Sequence, residues 1–207
     1  PKSNYQLDIK ACQNSLNYLK KRGPDWHFFK ILNNKFFGQT VLSMTGNKKF
    51  TIQNHFSENK RFLTLFNGEI YNYKELEKKK FKARNLRDTF SLVNSYNPRK
   101  VESFFNSLDG MFAAVIYDIF KDKVIIARDI QGEKSLYVYE DKNIVIVSSE
   151  INAIKIYIKN LKIDYYWLQT YLNSRHFLQL KNTIYEKIKI VQPGEILEIN
   201  QNNKISH

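Results

Sequence analysis

The chain has 207 residues, 43% of them hydrophobic, with 33 Lys+Arg against 20 Asp+Glu and a formal charge of +13. That length and apolar content bury a full core as one large domain, or one domain with a small appendage, while seven glycines, four prolines and the lack of repeats exclude a linker-rich or solenoid chain. The lysines are scattered among Asn and Ile without a recognition motif, so nucleic acid is not an expected partner; a single cysteine, Cys12, excludes an internal disulfide and points most simply to the cytosol.

The first six residues carry no apolar signal core, and no run of about 18 apolar residues follows that would span a membrane. Ile9, Cys12, Leu16 and Leu19 recur at helical spacing, which predicts an amphipathic helix over 8–20 with Cys12 on its apolar face, a small buried hydrophobe rather than a catalytic thiol. Arg22-Gly23-Pro24-Asp25-Trp26 stops that helix. Residues 27–32 and 36–44 are aromatic and branched and flank Asn33-Asn34, which reads as a β-hairpin. A further strand over 61–66 delivers Asn67 and Gly68 to the point where an apolar strand stops and a polar helix over 73–80 begins. Such a junction sets an amide side chain beside a backbone N–H, the donor pair that holds an oxyanion during acyl transfer. Residues 88–96 read as another helix, and Pro98 suits the first turn of the next.

Two nearly all-apolar strands, 111–117 and 123–128, form a second hairpin around 118–122 and require cover on both faces. Strands follow at 135–139 and 143–148, helices at 150–157 and 164–173, and closing strands at 183–191 and 195–199. Antiparallel strand groups with short helices make a layered α+β domain.

The strings Arg22-Gly23-Pro24-Asp25, Phe66-Asn67-Gly68-Glu69-Ile70-Tyr71-Asn72, Leu108-Asp109-Gly110-Met111-Phe112-Ala113, Ala127-Arg128-Asp129 and Ser149-Glu150-Ile151 occur here in order, followed by Thr183-Ile184-Tyr185-Glu186-Lys187-Ile188 and Val191-Gln192-Pro193-Gly194-Glu195. In that order and spacing they resemble the glutaminase domain of glutamine-hydrolysing asparagine synthetases, a class II glutamine amidotransferase. The resemblance implies an N-terminal-nucleophile fold, a four-layer α/β/β/α sandwich with two antiparallel sheets, here lacking its first strand. It implies a glutaminase-like domain over 1–160, with 161–207 a closing helix and strands leading toward a synthetase domain outside this chain. The implied function is hydrolysis of glutamine to supply ammonia for an ATP-dependent amidation. L-glutamine and a synthetase domain, in cis or in trans, are the implied partners, and a homodimer stays open. No cofactor is implied in this domain; ATP and Mg belong to the synthetase domain, and no glycine-rich phosphate loop is visible here.

Residue by residue, Asn67 and Gly68 match the family's oxyanion-hole pair. Asn-Gly is also a common turn, but the Glu69-Ile70-Tyr71-Asn72 that follows favours the site. Asp88 aligns with the aspartate that binds the glutamine α-ammonium, and Asp at a helix start is equally a cap. Glu69, Val41 and Leu42 fall at substrate-binding positions. Val41 stands where the family has an arginine that clamps the substrate carboxylate, which valine cannot do; Arg87 is a candidate substitute, and Leu86-Arg87 replace the family's small-residue pair. Arg22 with Asp25, and Arg128 with Asp129, read as ion-paired or loop-ordering groups as readily as functional ones. His27, His55, His176 and His207 are isolated, so no metal site is expected.

In the family the nucleophile is a first-residue cysteine whose α-amino group is the base, poised near working pH. This sequence begins at Pro1. Truncation, natural loss and engineered removal each account for that start, and in every case the 207 residues as given are expected to hydrolyse no glutamine. Natural loss would make the chain an inactive module with a docking or regulatory role.

Overall fold

The computed structural model describes residues 5–42, 55–78, 88–175, 181–200 and 205–206, which form antiparallel sheets and short helices. Two compact units divide the chain: residues 1–42 with 135–192, and 43–134 with 193–207.

The first unit holds α1 (Ile9–Leu19), a two-stranded sheet of β1 (Trp26–Leu32) and β2 (Lys35–Val41), and a three-stranded sheet in the order β7-β6-β8. The last is built from β6 (Tyr137–Glu140), β7 (Val145–Ser148) and β8 (Ile188–Ile190), with α5 (Ile151–Tyr157) and α6 (Tyr165–Ser174) completing the unit. Asp8 caps α1 by accepting from Ala11 N–H at 2.9 Å, and the apolar face buries Cys12 and Leu16. Both residues of the Asn33-Asn34 turn have positive φ, 46° and 56°, the conformation that matches the twist of a tight hairpin. Gly23 lets the chain cross β2 closely, because a Cβ there would lie 2.5 Å from Val41 N. Strand β2 ends at Val41 rather than running on to 44, and Ser43 and Met44 lie outside the described residues. The closing strand is shorter than the expected 183–191. The Thr183 hydroxyl donates to Ile188 O at 2.8 Å and accepts from Tyr185 N–H at 3.1 Å, which turns the segment before β8 begins.

Among its described residues, the second unit holds one five-stranded antiparallel sheet, order β10-β9-β5-β4-β3, and three helices. Its strands are β3 (Phe62–Ile70), β4 (Gly110–Asp118), β5 (Lys123–Arg128), β9 (Ile196–Ile199) and β10 (Ile205–Ser206); its helices are α2 (Tyr73–Lys78), α3 (Asp88–Ser95) and α4 (Val101–Phe105). Pro98 stands in a turn closed by Lys100 N–H on Asn97 O at 3.1 Å, ahead of α4 rather than inside it. Phe66, Ile70, Phe112, Ala114, Ile116, Ile125 and Ala127 form the inner face with Leu92, Val93, Tyr96, Phe104 and Phe105 of the helices. Edge-to-face rings, Phe62–Tyr96 at 5.1 Å, Tyr96–Phe104 at 5.4 Å and Phe104–Phe105 at 5.2 Å, run through it, each pair adding about 0.5–1.5 kcal/mol beyond area burial. Leu63, Tyr117 and Ile126, on the opposite face, are fully buried too, as strands apolar on both sides demand. Arg61 grips Asp118 at the far end of β4, Nη2 to Oδ2 at 2.6 Å.

Residues 55–57 cover the outer edge of β3 at its start, where Thr64 N–H donates to His55 O at 2.7 Å and Ser57 N–H to Phe62 O at 2.9 Å. Burial pushes the His55 imidazole below its usual value, and its bond to Thr64 O offsets this only in part. The native state therefore holds His55 neutral while the unfolded chain takes up a proton below pH 6.5. Stability from this group is complete above that pH and is lost as pH falls toward the folded value. Urea midpoints measured from pH 8 to pH 5 should fall on acidification, and His55→Gln should flatten that part of the curve.

Among the described residues, no helix is long and apolar enough to cross a membrane.

Candidate functional site

Strand β3 does not stop at Phe66. It runs to Ile70, pairing Asn67 with Ala113, Gly68 with Phe112, Glu69 with Met111 and Ile70 with Gly110, so Asn67 and Gly68 stand on a strand edge and not at a strand-to-helix junction. Phe112 directs both backbone groups away from β3: its C=O accepts from Asp129 N–H at 2.8 Å and its N–H donates to Asp129 Oδ2 at 3.2 Å. Gly68 and Phe112 therefore oppose each other as a non-hydrogen-bonded pair. Gly68 turns its N–H to the outer edge of β3, the same edge on which Thr64 N–H meets His55 O and Ile70 N–H meets the Asp88 carboxylate. Among the described residues, nothing accepts a hydrogen bond from the Gly68 N–H or bonds to the Asn67 amide.

Glycine is required for this approach. Gly68 has φ 147°, and a Cβ on it would fall 2.0 Å from Met111 O; Gly110 has φ 155°, and a Cβ on it would fall 2.2 Å from Glu69 O. The two glycines stand on opposite strands two positions apart in the register, Gly68 opposite Phe112 and Gly110 opposite Ile70, and let the backbones close at the end of the β3–β4 ladder. Asn72 fastens the exit from that ladder, donating from Nδ2 to Ser107 O at 2.9 Å and accepting Asp109 N–H on Oδ1 at 3.0 Å, while Tyr71 N–H bonds Asp109 O at 2.7 Å.

Asp88 is the first residue of α3 and closes on β3. Burial pushes its carboxyl up, the Thr89 N–H and hydroxyl at 2.7 and 3.3 Å and the Ile70 N–H pull it back, and the Glu69 carboxylate raises it again; the net position is above the usual carboxylate range. A half-buried acid beside a second carboxylate is a place where a bound ammonium gains free energy. Asn67, Gly68, Glu69 and Asp88 thus come together in the second unit. In the first, Val41 is buried at the end of β2, paired with Trp26 and bridged to Pro24, and Leu42 after it is exposed. Leu86, Arg87, His176 and His207 lie outside the described residues.

Sequence reasoning gives Asn72 and Asp129 no place at the site. Both act through backbone contacts to residues far along the chain, which no local pattern reveals. Arg128 and Asp129 prove to be loop-ordering groups, with Arg128 Nε on Lys134 O at 2.7 Å and its Nη2 on Gly132 O.

The family described as "Glutamine amidotransferase domain" matches residues 2–207. The chain belongs to that family. Within it, the chain is 32% identical over 171 residues to a probable glutamine-hydrolysing asparagine synthetase of Acanthamoeba polyphaga mimivirus, covering 78% of this chain and 31% of that protein. It is 28% identical over 172 residues to asparagine synthetase B of Escherichia coli K12, covering 79% and 30%. The chain therefore spans about a third of the length of these relatives. Among solved structures, glutamine phosphoribosylpyrophosphate amidotransferase from B. subtilis superposes with a TM-score of 0.66 at 16% identity, over 98% of this chain and 47% of that one. The fold of this class II amidotransferase domain is thus the N-terminal-nucleophile type, a mixed α/β architecture of antiparallel sheets.

Two of the strings that carry the resemblance, Arg22-Gly23-Pro24-Asp25 and Ser149-Glu150-Ile151, meet in the first unit, where Arg22 Nη1 bonds Glu150 Oε1 at 2.8 Å and Ser149 O at 3.2 Å. Cys12 is buried, and burial, with the Asp8 carboxylate adding to it, pushes its thiol up to about 11 from 9.0. At a given pH below both values, such a thiol carries about 100-fold less thiolate than an exposed one. Alkylation of Cys12 by iodoacetamide at pH 8 should accordingly be slower by at least about that factor in the native domain than in urea; equal rates would show an accessible thiol.

Proposed function

We propose that this domain binds L-glutamine along the open edge of β3 and belongs to a glutamine-hydrolysing enzyme of asparagine-synthetase type. The observation that carries the reading is the Gly68 N–H, turned outward with no acceptor among the described residues, two positions from the Ile70 N–H that Asp88 holds. Two strand residues span about 7 Å, and the five bonds from the α-nitrogen of glutamine to its side-chain oxygen reach roughly 6 Å. One ligand can therefore set its ammonium against Asp88 and Glu69 and its amide oxygen at Gly68 N–H and Asn67 Nδ2. Attack on the amide carbon would place negative charge on that oxygen, and the two donors would stabilise it.

Cys12 is not the nucleophile in this scheme, since its thiol is buried and protonated. The ammonia, once made in the whole protein, would be consumed by a separate ATP- and Mg-dependent amidating domain, in the same chain or another, in a cytosolic setting.

Val41 supports a second reading. With a buried valine at the position where the resemblance expects a carboxylate-clamping arginine, the domain would be a glutaminase-like module that has lost its ligand and serves docking or regulation. Calorimetric titration separates the two: heat from L-glutamine, absent with L-norleucine, supports the first, and no heat from either supports the second.

A further inference from the structure

We propose that Asp129 is a positioning residue for the Gly68 N–H, acting through the backbone of Phe112. The proposal rests on the reading of Gly68 as an oxyanion donor.

Asp129 is 2% exposed. Oδ2 accepts from Phe112 N–H and Lys134 N–H, each at 3.2 Å, and Oδ1 accepts from Gln131 N–H at 3.1 Å and Glu133 N–H at 3.0 Å. Its own N–H donates to Phe112 O at 2.8 Å, and its C=O receives Gly132 N–H and Gly194 N–H at 3.0 and 2.9 Å. Phe112 is thus held on that side by a single residue, through both of its backbone groups. On its other side lies Gly68, so close that a Cβ there would meet Met111 O at 2.0 Å and Phe112 Cα at 2.7 Å. The two backbones approach closely here. Moving Phe112 displaces Gly68, and with it the direction of the outward N–H, by the small distances that decide an oxyanion donor's worth.

A carboxylate suits this place because it only accepts. An asparagine would turn its NH₂ toward two N–H donors and leave them unsatisfied. The Arg128 guanidinium closes the same loop on Gly132 and Lys134 carbonyls, so the loop after β5 is built to present Asp129 at a fixed point.

The test compares amide NMR spectra of the ¹⁵N-labelled chain with those of Asp129→Asn and of Asp118→Asn, which cuts the Arg61 pair at the opposite end of β4. Asp129→Asn should shift the Gly68 amide more than those of Gly23 and Gly38 and diminish the further shift that L-glutamine induces at Gly68. The glutamine affinity should fall less than it does on Asp88→Asn, which removes the charged partner of the ammonium. Asp118→Asn should leave Gly68 where it is. An unmoved Gly68 in folded Asp129→Asn, or an equal movement in Asp118→Asn, overturns the proposal. Should Asp129→Asn fail to fold, Asp129→Glu keeps the acid and displaces its oxygens by one methylene; a Gly68 shift larger than those of Gly23 and Gly38 upholds the proposal and none overturns it. If the parent chain binds no glutamine while Asp129→Asn still moves Gly68, the positioning stands and the glutamine reading alone falls.

Discussion

Gly68→Ala is expected to destabilise the domain by roughly 2–4 kcal/mol and to abolish glutamine binding along β3. A methyl at this position would overlap Met111 O at 2.0 Å and Phe112 Cα at 2.7 Å, neither of which is the end of a flexible side chain, and would impose φ 147° on an L-residue. Both obstacles are backbone, so relief requires the β3–β4 ladder to open just where Asn67 and Gly68 stand. Urea denaturation measures the first effect and calorimetry the second. A variant as stable as the parent would mean that the two strands do not approach this closely.

Asp88→Asn should do two things of opposite sign. Losing the charged partner of the ligand ammonium should weaken L-glutamine binding by about 10- to 100-fold. Apo stability at neutral pH should rise. Because the folded Asp88 carboxyl sits above its usual value of 3.8, the native state holds the proton more tightly than the unfolded chain does. Its stabilising contribution is complete below that pH and is lost as pH rises through the folded value. A neutral amide escapes that loss, so the gain over the parent should fade as pH is lowered to about 3.8. Thermal melts at pH 7 and pH 3.5 read this directly. A helix-capping role alone predicts little change at either pH, because an asparagine oxygen also accepts from Thr89 N–H.

The local chemistry of the chain made much of this legible. Asp8 with its apolar i, i+4 face, the Asn33-Asn34 turn and the apolar 111–128 hairpin each follow from neighbouring residues, and the structure places them within a residue or two. The end of β3 was not legible in the same way. Asn67-Gly68 has the composition of a turn, yet cross-strand pairing with Ala113 and Phe112 carries the strand four residues further than local pattern suggests, and the glycines at 68 and 110, two ladder positions apart, let the backbones approach. The segment before β8 failed for the opposite reason: branched residues favour a strand, and a hydroxyl at Thr183 redirects the backbone. β10, two residues paired with β9, is too short for periodicity to register.

At the site, the resemblance marked Asn67, Gly68, Glu69 and Asp88, but the link between them is tertiary. Nothing in the sequence says that Asp88 reaches the Ile70 N–H eighteen residues before it, or that Asp129 holds the strand that Gly68 leans on.

The most direct trial is a crystal structure of the chain grown with L-glutamine. The account predicts the ligand along the outer edge of β3, its side-chain oxygen about 3 Å from both Gly68 N and Asn67 Nδ2 and its ammonium against Asp88. Glutamine bound with its side-chain amide turned away from position 68, or an Asn67 amide committed to another partner, would contradict it.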